Sequence, residues 1–597
     1  VISSLTPPGA DRLDEAATAR LGRVTLFVLF TYVFLANAWM GDDAYITFRV
    51  VWNFVNGYGI TFNPDERVQA YTHPLWMLVL SAAYAATREF FFTATVLSWA
   101  FSIAAVAVLV RWARTLPRAA LIVAWLISSK AFIDYTGSGL ESPLSYLLLA
   151  VFYTRYLDRP VGAPLTDRDL RWFLFVASLA FLTRPDAVLL YAFPVGEMVL
   201  RSLRARGRLA LRPVLIGFSP AILWLAFATF YYGFPLPNTY YAKVANGIPR
   251  PLMLRQGAAY VFNSISHDPI TLGTVAVAVM FAWRAQAAAR AAAMSAALSI
   301  AYTVSIGGDF MSGRFFAMPF LVGLMTLAPV VGAAVAPWVA GALLVYNVLM
   351  PIVPVKTTSR YDAAWLWRTQ NGIKDERGHY HRATNVLFFS PFRELPDFVW
   401  VREGLSFRNG PAKVTVQGSI GFFGLSAGPT KFLVDRNALS DPLLARLPVS
   451  PRLYFEFYAG HYFRDLPAGY LESCDRGENL LQDPLLREYY DRLRNVTRGP
   501  LFRAARFRDI WALNAGRFRN FHALYERRRP IKLSVRADNE RFLTDVGNRD
   551  PVAGTLRATG RSGYLQYGPG IPVKKGYYRA RWIGTVEAAP DGQVGFV

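Results

Sequence analysis

The chain has 597 residues, 53% of them hydrophobic and only 18% charged, with a single cysteine and a formal charge of +23. One cysteine, Cys474, excludes a disulfide framework and a thiolate metal site, and the six histidines show no HExxH-type ligand spacing. The basic excess fits nucleic acid, anionic lipid or a phosphorylated ligand, but many arginines stand in short loops between apolar runs, the signature of membrane topology.

Apolar runs of bilayer length fill the first ~350 residues and almost none follow, so a membrane half (1–355) is expected before a soluble half of roughly 240 residues. Arg12, Arg20 and Arg23 place the polar start in the cytoplasm. Residues 24–40 read as a first span rather than a cleavable leader, since the run lacks a small-residue cleavage site and meets the acidic pair Asp42-Asp43 at its outer end. Residues 74–86 are too short to cross comfortably and read as a juxtamembrane or re-entrant helix. With 93–110 as the next span, Arg111, Arg114 and Arg118 fall inside. Further spans are expected near 119–133, 141–154, 171–183, 187–200, 213–231, 269–283, 291–306, 315–332 and 337–354, about eleven in all. The soluble half is then extracytoplasmic.

Adjacent carboxylates at the lip of a bilayer are costly unless solvated, paired or used. Side by side they also push their pKa values apart, one way to obtain a base or nucleophile. Arg49, Asp65, Glu66, Arg67 and His73 follow in the same stretch, 41–76. The plainer alternative is a headgroup-level loop whose acids face water. The topology also gathers on the outer side the segment around Glu141, Thr183-Arg184-Pro185-Asp186, the run from Pro237 through Asn238 and Tyr240 to Lys243, and Gly307 to Arg314 with Asp309. Singly, Ser142-Pro143 reads as a helix start and Arg314 as a snorkelling side chain. Together they point to a site. Its expected catalytic residues are Asp42 and Asp43, and its expected substrate-binding residues are Arg67, His73, Glu141, Arg184, Asp186, Asn238, Tyr240, Lys243, Asp309 and Arg314.

Such a set suits a lipid-linked anion. Arg67, Arg184, Lys243 and Arg314 would hold phosphate, and Asp42 or Asp43 would serve a sugar hydroxyl as base or an anomeric carbon as nucleophile. Tyr45, Trp52, Tyr58, Tyr71 and Trp76 would stack on sugar, line a prenyl groove or form an interfacial belt. In the soluble half, residues 413–417 and 431–434 read as strands, and 442–447 and 478–494 as helices, an α+β or α/β region over 356–527. After a linker at Glu526 to Pro530, residues 528–597 read as part of a carbohydrate-binding β-sandwich, with Tyr564, Tyr567 and Trp582 facing glycan or filling its core.

DDAYITFR (42–49), NGYGITFNPDERVQAYTHPLW (56–76), TGSGLESPL (136–144), LTRPDA (182–187), PNTYYAK (237–243) and GGDFMSGRFF (307–316) resemble the GT-C glycosyltransferases, most closely the AftB-type terminal β-(1→2)-arabinofuranosyltransferases. GSIGFFGLSAGP (418–429), DPLLARLP (441–448) and GHYFRDLPAGYLES (460–473) extend the resemblance into the soluble half. The resemblance implies a polytopic α-helical membrane protein of GT-C type. It implies decaprenylphosphoryl-arabinofuranose as donor, cell-wall arabinan (arabinogalactan, lipoarabinomannan) as acceptor, Asp42 and Asp43 at the catalytic centre and net retention. No obligate cofactor is expected. The acids suffice for a divalent ion, but no spacing requires one. The alternatives are a transferase using another polyprenyl-phosphate sugar, a lipid-linked glycan transporter with a sugar-binding domain, or a glycan-binding anchor. A transporter commonly carries inverted repeats, and none is visible. An anchor has no need of the acidic pair. The expected partners are the lipid-linked donor, arabinan and the bilayer, without nucleic acid.

Overall fold

The computed structural model describes residues 10–160, 163–207, 210–332, 334–356, 371–389, 395–450, 453, 457–526, 547–550 and 555–558. Contacts divide the chain into two compact units, Val1–Ile531 and Lys532–Val597. The first is mostly helical. By length and composition Ala17–Asn37, Phe91–Trp112 and Ala287–Ser305 are each able to cross a bilayer, and two bent pairs bring the number to as many as five.

Several breaks follow from local chemistry. The first helix stops at Asn37, short of the expected end at residue 40. There the Asn37 amide turns back to the carbonyls of Val33 and Pro354 (2.8 Å each), and the Trp39 N–H goes to Gly137 O at 2.8 Å. The acidic pair, at the outer end of the expected first span, opens the helix Asp42–Val55. Carboxylates are favourable in a first turn, where the helix dipole is positive. The segment expected at 74–86 is the helix Pro74–Thr87, with proline at its first position, where no N–H is needed. Thr166 and Asp169 close a capping box that starts Asp167–Thr183. The spans expected at 213–231 and 269–283 prove to be parts of broken pairs. Leu211–Gly217 meets Ser219–Tyr231 at 62°, and Arg250–His267 meets Pro269–Ala282 at 108°. The second break falls at Asp268, the residue before a proline, where helical backbone is disfavoured.

Beyond residue 370, Val414–Gln417 and Phe432–Asp435 form a parallel pair, with Val414 opposite Phe432 and Gln417 opposite Asp435. The helix Gly421–Ala427 connects them. The helix expected at 478–494 runs instead from Pro484 to Arg498, because Asp483 caps it by accepting the Leu486 N–H (2.8 Å) and Pro484 takes the first position. The segment expected as a helix at 442–447 is a single 3-10 turn, Leu444–Arg446.

The acidic helix Asp42–Val55 is the junction of the first unit. Arg49, 1% exposed, donates to Phe62 O and Lys431 O at 2.8 Å each and also to Gly424 O, and lies 4.7 Å from the Phe62 ring centre. A guanidinium buried so completely is tolerable because carbonyls take up its donors. Tyr45 packs on Phe422 (4.4 Å) and Trp39 stacks on Tyr380 (6.0 Å), which binds the same corner to the chain beyond residue 370.

In the second unit, Gly547–Asp550 pairs antiparallel with Thr555–Ala558. The rest of the β-rich segment expected at 528–597, including Tyr564, Tyr567 and Trp582, lies outside the described residues, as does most of the linker.

Candidate active site

Adjacent residues on a helix point about 100° apart, so the two aspartates cannot share one environment. Asp42 turns to the connecting helix of the parallel strand pair. The Gly421 N–H donates to its Oδ2 (3.0 Å) and the Phe422 N–H to its Oδ1 (2.7 Å), so Asp42 caps that helix from 379 residues away. Gly421 is required by closeness, since a Cβ there would come 1.7 Å from Asp42 O. Burial pushes the Asp42 carboxyl up to about 7, against the pull of the two amide donors.

Asp43 faces the other way. Its Oδ2 lies 3.5 Å from Arg314 Nη1, and Arg314 also meets Glu141 Oε1 at 3.5 Å and Asp309 Oδ2 at 3.7 Å. Three carboxylates from three distant segments therefore share one guanidinium. The loop before Arg314 makes this possible, because Gly307, Gly308 and Gly313 all adopt positive φ and fold Asp309 back beside it. Glu141 is fully buried and also meets His73 Nδ1 at 3.2 Å and the Arg184 guanidinium (Nη1) at 3.7 Å. Thr47 Oγ1 meets the other nitrogen of His73 at 2.8 Å. Burial alone would raise Glu141, but His73, Arg314 and Arg184 outweigh it and hold its carboxyl well below the usual range. Arg184 grips Asp186 with two hydrogen bonds (3.1 and 2.7 Å) and lies over the Phe315 ring. Burial raises Asp309, with Arg314 and Lys243 opposing it. Lys243 stands at the edge of this group, near Gly460 and close enough to lower Asp309.

Of the expected site residues, the structure thus brings together Asp43, His73, Glu141, Arg184, Asp186, Asp309 and Arg314, with Lys243 beside them. Others lie elsewhere. Arg67 donates to the carbonyls of Val496 (3.2 Å) and Gly499, and its own N–H goes to Thr497 O, so it ties two segments together. The Asn238 amide donates to the carbonyls of Ala438, Leu439 and Asp441 (2.9–3.1 Å) and its oxygen accepts from Arg446. Tyr240 is 39% exposed and meets Tyr241 edge-on.

Sequence reasoning missed neighbours contributed by the later chain. His461 lies edge-on to Phe310 (4.2 Å), and burial, helped by Lys243, pushes its ring down to about 3. Glu376 is 5% exposed and feels the charges of Asp43, Lys374, Asp309 and Asp42. Nothing in the sequence singles out residues 374–377, and a long-range pairing places them: Lys374 N–H donates to Phe310 O (2.7 Å) and Ser312 N–H to Lys374 O (2.9 Å). His461 stood inside the GHYFRDLPAG motif, a signal that was available. Among the described residues no three His, Cys, Asp or Glu side chains form a metal-ligating group.

The class of molecule is a mostly helical protein with several membrane-length apolar helices and a charged centre at the ends of its helices. No protein-family model matches the chain. It is similar to a Mycobacterium tuberculosis protein named terminal β-(1→2)-arabinofuranosyltransferase, 28% identical over 254 residues, which cover 40% of this chain and 39% of that protein. A Corynebacterium glutamicum protein of the same name is 25% identical over 355 residues, covering 52% of this chain and 51% of that protein. The chain spans about half or less of the length of these relatives.

Proposed function

We propose that the chain is a membrane glycosyltransferase of GT-C type. It moves an arabinofuranosyl group from a polyprenyl-phosphate carrier, decaprenylphosphoryl-arabinofuranose, to the non-reducing ends of cell-wall arabinan. The linkage made is terminal β-(1→2), with net retention. In this reading the protein lies in the plasma membrane with its N-terminus in the cytoplasm and its centre on the outer side. The names of the two relatives support the sugar and the bond. The observation that carries the site is Asp43, whose side chain is 17% exposed against Arg314, whereas Glu141 (0%) and Asp309 (4%) beside the same guanidinium are closed off.

In the reaction the anomeric carbon–oxygen bond to phosphate breaks and polyprenyl phosphate leaves with its negative charge. A bond from the acceptor oxygen forms, and the hydroxyl proton passes to a base. Arg314, Arg184 and Lys243 supply positive charge for the phosphate. Asp43 serves the cationic anomeric carbon. A single in-line attack inverts, so retention requires that Asp43 bond to that carbon and then be displaced, or that departure and attack occur on one face. The test is transfer by the purified protein from a synthetic polyprenylphosphoryl-arabinofuranose to a short arabinofuranose acceptor, with the product analysed for configuration. A β-linked product is expected. An α-linked product, or transfer of a different lipid-linked sugar alone, contradicts the reading.

A further inference from the structure

Residues 374–377 are Lys-Asp-Glu-Arg, and the two flanking charges of Glu376 are engaged away from the centre. Asp375 Oδ2 pairs with Lys130 Nζ at 2.9 Å, and Arg377 Nε pairs with Asp134 Oδ1 at 2.7 Å while Nη1 donates to Asn37 at 2.7 Å. The backbone just before them is clipped to the loop that carries Asp309 and Arg314, through Lys374 and Phe310 on one side and Ser312 on the other. Glu376 is therefore fixed on the border of the Asp43–Arg314 centre, in the first turn of Glu376–Thr384.

Among the described residues its carboxyl has no hydrogen bond or ion pair, although the residue is 95% buried, being 5% exposed. A carboxyl on a residue so nearly closed off, with no protein partner among the described residues, leaves its oxygens to a ligand or to water, and its place next to a candidate active site favours a ligand. The charged groups it feels are Asp42 and Asp43 from the acidic helix, Asp309 from the glycine-rich loop and Lys374 from its own segment, with Tyr380 one turn further along its helix. Burial, reinforced by the negative charge of Asp43, pushes its carboxyl well above the usual range. A neutral carboxyl both donates and accepts, and it does not repel a phosphate.

We propose that Glu376 is a substrate-binding carboxyl of this centre that recognises a sugar hydroxyl, donating its O–H to the hydroxyl oxygen and accepting the hydroxyl hydrogen at its other oxygen. The inference rests on the glycosyl-transfer reading and deepens it. No bond to carbon is made or broken at Glu376.

Three proteins decide it: wild type, Glu376→Gln and Glu376→Ala. Glutamine keeps one donor and one acceptor at every pH. Glu376→Gln is expected to transfer within about 10-fold of wild type and to lose the alkaline inflection that ionisation of Glu376 imposes, while Glu376→Ala loses about 10²-fold or more in kcat/KM with unchanged thermal unfolding. Full activity of the alanine variant overturns the proposal. So does a glutamine variant as inactive as alanine, which would mean that the ionised form is required. Two further readings need no arabinosyl transfer. The infrared difference spectrum of wild type minus Glu376→Gln at neutral pH is expected to contain a protonated carboxylic acid band, over and above those of other buried carboxyls such as Asp42, and a difference spectrum without it overturns the neutral carboxyl. Binding of a short arabinofuranose oligosaccharide, measured by calorimetry, is expected to weaken in Glu376→Ala and to persist in Glu376→Gln. If wild type binds but never transfers, the function above fails while this site stands.

Discussion

Two charged clusters in the first unit use the same kinds of residue and end as different objects. In one, Lys130, Asp134, Asp375 and Arg377 pair at 2.7–2.9 Å or closer with side chains 0–8% exposed. In the other, Arg314 meets Asp43, Glu141 and Asp309 at 3.5–3.7 Å, and Asp43 keeps 17% of its side chain open. The tight cluster joins Asn37, at the end of the first helix, and the short helix Lys130–Asp134 to the chain beyond residue 370 and has its charges matched inside the fold. The loose one leaves distances that a ligand's oxygen would shorten. Closeness marks a rivet, and slack with an opening marks a centre.

The comparison breaks most visibly at the rivet. Arg377→Ala leaves Lys130 alone, among the described residues, to neutralise both Asp134 and Asp375 in a closed interior, and a loss of about 3–5 kcal/mol is expected. Thermal unfolding of the detergent-solubilised protein would show it, and an unchanged transition would remove the distinction between the clusters. A smaller loss, about 1–3 kcal/mol from overpacking, is expected for Gly421→Ala, whose new methyl collides with the Asp42 carbonyl. Arabinosyl transfer should fall with it, because the acidic helix must shift. The last effect is read as a pH slope. The Asp42 carboxyl sits near 7 in the fold against an ordinary 3.8. Its contribution to stability is therefore fully present below 3.8 and is lost as pH rises through about 7, by no more than about 1.4 kcal/mol per pH unit. Asp42→Asn should remove that part of the slope between pH 4 and 7 in pH-dependent unfolding. An identical slope in both proteins would show that Asp42 does not titrate there.

Much of the architecture was legible because it is written locally. The run 74–86 was legible as a helix too short to cross, Ser142-Pro143 as a helix start, and apolar length marked the span found as Phe91–Trp112. The charge rule gathered Glu141, Arg184, Asp309 and Arg314 on one face before any contact was known. The roles of the two aspartates were not legible, since what separates them is a pair of amide donors at Gly421 and Phe422 and a guanidinium at Arg314. Arg67 and Asn238 misled for the same reason. Each looks like a ligand-binding side chain, and each is taken up by backbone carbonyls that only the tertiary fold brings near. Glu376 lay hidden because nothing singles out its four-residue charge run until the backbone on one side of it is seen to pair with the Asp309 loop.

The most direct test of the central claim compares Asp43→Asn with Asp42→Asn, measuring arabinosyl transfer and thermal unfolding on the same preparations. Asp43→Asn is expected to unfold like wild type and to lose about 10²–10⁴-fold in transfer rate. Asp42→Asn is expected to unfold at lower temperature and to keep transfer within about 10-fold of wild type, as befits a residue that holds a helix rather than a sugar. Equal losses of transfer in both, or a stable but inactive Asp42→Asn beside an active Asp43→Asn, would contradict the account.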